Sequence, residues 1–218
     1  MNLISFVFVQ HFGLACGAAL LFLAGALLAF PIVKQGPDLL TWLPMMLFRW
    51  VRRMLGEEPG IGRMCTVIFG FNSAAMFSYM ASGIHPAIPA VISVVTGYNI
   101  AVILLLSGEA KDLDGLRGSP PARWIPGRWL TGLCGLAVLF LELPCFWYSI
   151  AMGIRLGQEA AACQTSYAQG IAVRFHAYVL LILPVLLVSA LCEAIAIQGM
   201  RTPPQGSEVG DQGSGPHP

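Results

Sequence analysis

Two long stretches of this sequence carry no Asp, Glu, Lys or Arg, and this feature constrains the fold more than any other. Residues 1–33 and residues 64–108 are both free of these side chains. A bilayer core of about 30 Å needs roughly 20 apolar helical residues to cross it, and each stretch is long enough for at least one such helix. Neither stretch alternates polar and apolar residues, as the strands of a membrane barrel do. The sequence therefore predicts an all-α, polytopic transmembrane helical bundle.

Further apolar segments divide the chain into about five predicted spans within a single transmembrane domain, residues 1–200. Gly83, His85 and Pro86 mark a tight turn, so the second and third spans are predicted to form a hairpin. The first span is interpreted as a retained helix, since no Lys or Arg precedes it as in a secretory signal. The predicted spans are residues 12–33, 65–82, 87–106, 129–153 and 177–198, followed by a Pro/Gly/Ser-rich tail at 201–218 that is predicted to be disordered.

The segment at residues 38–55 has a different character, because its aromatic residues stand beside arginines. The segment contains Trp42 and Trp50 together with Arg49, Arg52 and Arg53. This mixture suits an amphipathic helix that lies in the membrane interface, with its cations toward anionic headgroups. The sequence therefore predicts one interfacial helix here rather than a further span.

The loop charges predict an orientation. Basic residues concentrate between the first and second spans and between the third and fourth. They are Lys34, Arg49, Arg52, Arg53 and Arg63 in the first of these loops, and Lys111, Arg117, Arg123 and Arg128 in the second. The positive-inside rule places such loops in the cytoplasm. With five spans, the N-terminus is then predicted to lie outside and the C-terminus in the cytoplasm.

Composition and motifs argue against several classes of function. Only 11% of the residues are charged and the formal net charge is +1, so no basic surface is expected for nucleic acid. The sequence has no Cys-x-x-Cys pair, His-Glu-x-x-His segment, Gly-x-Ser-x-Gly turn or Walker loop. We therefore predict no catalytic residue, cofactor or metal site. The expected partners are the lipid bilayer and other membrane or envelope proteins, with a homo-oligomer as a further alternative.

Two asparagines inside the predicted hairpin are candidate functional residues. Asn72 and Asn99 lie at similar distances on either side of the turn, so they are predicted to face each other at one depth. An interhelical amide pair contributes about 0.6 to 2 kcal/mol, which favours a helix–helix clamp over a ligand site. In the first span, Gly13, Gly17 and Gly25 place small residues along one face, which predicts a closely packed neighbouring helix.

Two carboxylates lie inside the fourth and fifth predicted spans. Glu142 falls near mid-membrane, where a carboxylate is costly unless it is protonated, paired or facing water. Pro144 frees the carbonyl of Phe140 one turn earlier, so a small polar site is predicted at a kink. For Glu193, a buried role and a carboxylate reaching the headgroups are equally compatible with the sequence. Such carboxylates can carry protons or cations, act as hydrogen-bond hubs or bind a partner helix, and these alternatives stay open.

These polar positions resemble the stage II sporulation protein M family. The strongest similarity lies at Glu142, Leu143 and Pro144 and at Gly153, Arg155, Leu156 and Gly157, which match a Glu-Leu-Pro motif and a Gly-x-Arg-Leu-Gly ending. The segments around Asn72, Asn99 and Glu193 resemble the second, third and closing spans of the family. The resemblance covers roughly residues 64–198. One departure is Val138, which occupies a position where the family often carries a His.

The resemblance implies an integral protein of the bacterial cytoplasmic (inner) membrane. Sporulating members are understood as scaffolds for cell-wall hydrolases, so the expected function is a non-enzymatic membrane scaffold that recruits or stabilises envelope protein partners. The alternative is a transporter or permease-like subunit that uses its intramembrane carboxylates.

Overall fold

A computed structural model describes residues 5–35, 38–56, 59–115 and 128–201, and it confirms the all-α prediction. The helices are α1 (Phe12–Gln35), α2 (Asp38–Leu55), α3 (Ile61–Ala81), α4 (Ala87–Gly115), α5 (Arg128–Ala161), α6 (Tyr167–Ala177) and α7 (Leu183–Arg201), with π-helical turns at Ser5–Val9 and Tyr178–Ile182. Within these ranges, five helical stretches are long and apolar enough to cross a bilayer. The chain is therefore a multi-pass membrane protein.

Helix α4 runs on to Gly115, beyond the predicted end at 106, and the last two predicted spans extend toward each other. Helix α5 runs on to Ala161 and α6 already begins at Tyr167, so only a short turn separates them. Ser166 starts α6 because its hydroxyl accepts a hydrogen bond from the Gln169 N–H at 3.3 Å, as N-cap residues do. The predicted tail beyond Arg201, like the basic loop at 116–127, lies outside the described residues.

Helix α5 occupies the centre of the described bundle, since it contacts α1, α3, α4 and α7. The other long helices pair on either side of it, with α1 packed along α4 and α3 packed along α7. The two hairpin arms, α3 and α4, make few direct contacts although a short turn joins them, and α2 contacts both of them. The apolar core around α5 includes Phe22, Met76, Met80, Phe146, Ile150, Met152, Tyr178, Ile182 and Leu186.

Helices α1 and α4 approach so closely that glycine is required at their contact. A Cβ atom added at Gly25 would overlap the carbonyl of Val94, and one added at Gly97 would overlap the carbonyl of Phe22. The buried Ser93 hydroxyl donates to the Ala18 carbonyl at 2.8 Å in the same interface. Since the step from Ala18 to Phe22 matches the step from Ser93 to Gly97, the two helices run parallel.

Only one of the three glycines predicted to line a close contact in the first span does so. Gly25 is buried against α4, whereas Gly13 and Gly17 are exposed and have no neighbouring atom within 4 Å of an added Cβ. The four-residue step from Gly13 to Gly17 keeps both on one side of α1, but that side carries no described neighbour.

The hairpin turn packs against α5 through two further glycines. An added Cβ at Gly153 would lie 2.6 Å from the Tyr79 carbonyl oxygen, and one at Gly157 would lie 2.7 Å from the Pro86 nitrogen. Gly83 in the turn faces the Gly153 backbone in return. These small residues allow the turn to sit directly on the helix backbone, which fixes the depth of α3 and α4 relative to α5.

An ion-pair cluster joins α5 to α6 beyond the hairpin turn. The Glu159 carboxylate binds Arg174 at 2.8 Å and Arg155 at 3.0 Å. Arg174 is buried, and it also donates to the Gly170 carbonyl at 3.1 Å. Tyr167 donates its hydroxyl to the Ala81 carbonyl at the end of α3. Polar contacts therefore join α3, α5 and α6 at the end of the bundle that carries the hairpin turn.

Candidate functional site

A three-helix hydrogen-bond cluster is centred on Glu142, the intramembrane carboxylate predicted to need partners. Its Oε1 atom accepts a hydrogen bond from the Asn72 side-chain amide of α3 at 2.8 Å. The same oxygen accepts a second hydrogen bond from the Ser189 hydroxyl of α7 at 3.1 Å. Because α3 and α7 both pack on α5, this one carboxylate links three helices in the middle of the bundle.

The predicted pairing of Asn72 with Asn99 is not formed. The amide of Asn72 turns toward α5 and binds Glu142. Helix α4 packs on α1 through Gly97, and Asn99 lies two residues further on, so it points to a different side of α4. The pairing assumed that hairpin arms joined by a short turn stay in contact along their length, but α3 and α4 instead pack against different neighbours.

Pro144 lies inside α5 but faces a different environment from Glu142. It lines an apolar cavity of about 120 Å³ together with Cys145 and Tyr148 of α5 and Ile182 of the π-helical turn. The rings of Tyr148 and Phe8 meet at one edge of this cavity, with centroids 4.9 Å apart. Residues two apart on a helix do not share a face. Pro144 and the Glu142 carboxylate therefore lie on different faces of α5, so the proline ring lines the apolar cavity and not the hydrogen-bond cluster.

Glu193 lies one helical turn after Ser189, so it shares the face of α7 that reaches Glu142. It is half-buried, and Ala190 and Ala194 beside it pack against Met64 of α3. Its carboxylate lies within electrostatic range of Glu142. Within the described residues, it forms no hydrogen bond of its own. A second acidic group therefore stands beside the cluster without joining it.

Several hydroxyl groups in the interhelical contacts give no signal in the sequence. Tyr178 donates its hydroxyl to the Ser73 carbonyl of α3 at 2.6 Å, and the Ser93 hydroxyl reaches the Ala18 carbonyl. Tyr and Ser are ordinary in membrane helices, so their type does not reveal these contacts. Ser189 lies one turn before Glu193 in the sequence, but its hydroxyl binds Glu142.

The geometry of this cluster couples three helices. In a membrane each interhelical hydrogen bond contributes about 0.6 to 2 kcal/mol, and Glu142 accepts two of them from different helices. Across the described residues, no group of three or more His, Cys, Asp or Glu side chains gathers as metal ligands. Glu193, next to the cluster, takes no part in these hydrogen bonds.

Comparison with known proteins decides the family. The family model described as stage II sporulation protein M matches residues 18–196. The chain belongs to this family. No curated protein and no solved structure matches it.

The motif that suggested the stage II sporulation protein M family has a structural role at each position in this member. The hairpin turn packs against Gly153 and Gly157, and Leu156 between them is fully buried. Arg155 is exposed and pairs with Glu159 one turn later. Leu143 packs against the apolar core. In this chain the motif therefore holds α5 against the hairpin and α6, while Glu142 joins α5 to α3 and α7.

Proposed function

We propose that this member of the stage II sporulation protein M family is a non-enzymatic membrane scaffold that recruits or stabilises envelope protein partners in the bacterial cytoplasmic membrane. The observation that carries the proposal is the use of Asn72, Glu142 and Ser189 in one helix-coupling cluster. A rigid bundle held by such a cluster presents its outer helix faces in a fixed arrangement. The loop charges favour an external N-terminus and a cytoplasmic C-terminus.

Helix α3 offers a surface suited to a partner helix. Small residues recur on it at every fourth position and all are exposed: Gly62, Thr66, Gly70, Ala74 and Ser78. An added Cβ at Gly70 would meet no atom within 4 Å. Small residues at this spacing let a second helix approach the backbone closely, which increases the van der Waals packing between helices in lipid. We therefore place the partner-binding face of the scaffold on α3.

Filling this face should reduce partner recovery. We expect Gly70→Leu combined with Ala74→Leu to lower the amount of protein partner co-isolated in mild detergent several-fold, because the larger side chains hold a docking helix away. Thermal unfolding of the purified variant should stay close to wild type, since neither residue packs inside the bundle. The matched control is Gly13→Leu with Gly17→Leu, which fills an equally exposed small face on α1.

Equal partner recovery from the α3 variant and the α1 control would remove α3 as the docking face. If the wild-type protein recovers no partner from its own host under mild detergent, the scaffold proposal itself fails.

A second candidate, a transporter or permease-like subunit, is favoured by one observation. Glu193 stands within electrostatic range of Glu142 and takes no part in the hydrogen bonds that couple the helices. Carboxylates at membrane depth that are not used in structure often mark proton or cation routes. In this reading Glu193→Gln abolishes a proton or cation flux in reconstituted vesicles while the bundle stays folded.

The flux measurement separates the two functions. A flux that is present in the wild type and lost in Glu193→Gln and Glu142→Gln, with unchanged folding, supports transport. The scaffold reading predicts no flux in either variant or in the wild type. A loss of folded protein in Glu142→Gln alone identifies that carboxylate as structural.

A further inference from the structure

Helix α2 carries two adjacent exposed stripes of different chemistry. Residues spaced three or four apart share one face of a helix. The apolar stripe consists of Leu39, Leu43, Met46, Trp50 and Met54, all exposed. Beside it, Trp42, Arg49 and Arg53 follow one another at seven- and four-residue steps, and they are exposed as well. The helix therefore presents a hydrocarbon-like surface with a cationic edge.

Contacts with both hairpin arms hold α2 against the bundle. The Tyr98 hydroxyl of α4 donates to the Leu40 carbonyl at 3.1 Å. The rings of Trp50 and Phe71 of α3 lie 6.1 Å apart. Pro44 lies two residues from the exposed Trp42 and Met46, hence on a different face from them, and it is fully buried. Because α2 is held at these points, its exposed stripes have a definite position against the bundle.

A third arginine reaches the end of α2 from the next helix. Arg63 of α3 donates from Nη2 to the Met54 carbonyl at 3.0 Å. The reversal between the helices passes through Gly56, whose φ of 81° suits glycine. Met54 directly follows Arg53, so this contact brings a guanidinium of α3 to the same end of α2. The cationic edge is thus built from two helices rather than from one run of sequence.

These cations have no counter-charge among the described side chains. Within the described residues, the ion pairs involve only Arg155, Glu159 and Arg174, at the far side of the bundle. Residues 34–63 as a whole carry five basic and three acidic side chains, so the segment has a net positive charge. A guanidinium binds a phosphate oxygen pair well because its donors form a planar fork. Exposed tryptophans beside the arginines fit the headgroup level of a bilayer.

We propose that α2 and Arg63 form a binding site for an anionic phospholipid. The acyl chains lie along the apolar stripe, and the headgroup phosphate is held by Arg49, Arg53 and Arg63. The shape of the site favours a lipid over a free phosphate, because the cationic edge adjoins a continuous apolar surface. This binding is independent of the proposed scaffold function and requires no protein partner.

The site can be tested on the purified full-length protein by native mass spectrometry with phosphatidylglycerol or phosphatidylcholine added in detergent. We expect the wild type to retain phosphatidylglycerol preferentially. Each of Arg49→Gln, Arg53→Gln and Arg63→Gln should lower the preference about fivefold, since each cation near a membrane surface contributes a comparable factor. The preference is a ratio measured on one protein, so a change in folded fraction cancels.

Lys34→Gln is the matched control, because Lys34 is an exposed cation at the end of α1 and lies outside both stripes of α2. Its preference for phosphatidylglycerol should stay at the wild-type level. The proposal is overturned if Lys34→Gln loses as much preference for phosphatidylglycerol as the arginine variants. It is also overturned if a protein with all three arginines replaced by Gln keeps the wild-type preference. It is overturned equally if inorganic phosphate at the lipid's concentration displaces the bound phosphatidylglycerol, since the site would then belong to a soluble anion.

Discussion

Replacing Gly25 with Ala is expected to destabilise the folded protein by about 1–3 kcal/mol, the usual cost of forcing extra atoms into a packed interface. The Cβ of alanine would overlap the carbonyl of Val94 on α4. That carbonyl belongs to a helix backbone, so it cannot turn aside as the end of a flexible side chain can. The two helices must separate, and the hydrogen bond from Ser93 to the Ala18 carbonyl in the same interface is strained with them.

Gly17 on the same helix is the matched control, and the expected sign of its effect is opposite. An added Cβ at Gly17 would meet no atom within 4 Å. Alanine in a helix interior is favoured over glycine by roughly 0.5–1 kcal/mol, because glycine loses more backbone freedom on folding. Gly17→Ala should therefore be neutral or stabilising. Unfolding of both variants in mixed detergent micelles measures the difference directly.

Gly97→Ala should resemble Gly25→Ala, since Gly97 meets the Phe22 carbonyl from the other side of the same contact. The double variant should lose less stability than the sum of the losses in the two single variants. A single separation of α1 from α4 relieves both overlaps. If Gly25→Ala and Gly17→Ala have the same effect on unfolding, the close contact between α1 and α4 is contradicted.

The contrast between these glycines shows what the sequence can predict of the fold. Long uncharged runs predict spanning helices, because a bilayer leaves few alternatives for them. The sequence does not predict which helix packs against each face of a span. Gly13, Gly17 and Gly25 look alike in the sequence, and only the packing of α4 against α1 distinguishes Gly25 from the others. Helix faces in lipid are all apolar, so hydrophobic patterning does not identify the buried one.

Two of the three residues of the hydrogen-bond cluster, Asn72 and Glu142, were predicted from the sequence, but their contacts were not. Asn72 and Glu142 were recognisable because polar groups in hydrocarbon require partners. Their partners depend on which helices touch, and a short turn between α3 and α4 suggested a pair that the bundle does not form. The contact of Ser189 with Glu142 was not predicted for the same reason, since the serine forms it only because α7 packs on α5. Connectivity along the chain is therefore a poor guide to contact in this bundle.

Removal of the Glu142 side-chain oxygens is the second change with a large expected effect. Glu142→Leu leaves the Asn72 amide and the Ser189 hydroxyl without their acceptor in the middle of the bundle. An unsatisfied buried donor costs about 1–3 kcal/mol, so the variant should lose stability on that order even though it removes a costly carboxylate. Glu142→Gln should lose less, because its amide oxygen still accepts. Thermal or detergent unfolding of the purified variants measures both losses.

A double-mutant cycle tests the partner assignment itself. In the Glu142→Leu background, Asn72→Leu should lower the stability much less than it does in the wild type. Replacing both partners of a hydrogen bond by apolar groups leaves no donor without an acceptor. Asn99→Leu should cost the same in either background, because Asn99 has no contact with the cluster to lose. Coupling between Glu142 and Asn99 instead of Asn72 would refute the observed arrangement. Coupling of Glu142 to Asn72 and not to Asn99 would establish that this carboxylate, and not an asparagine pair across the hairpin, fixes the register of α3 on α5.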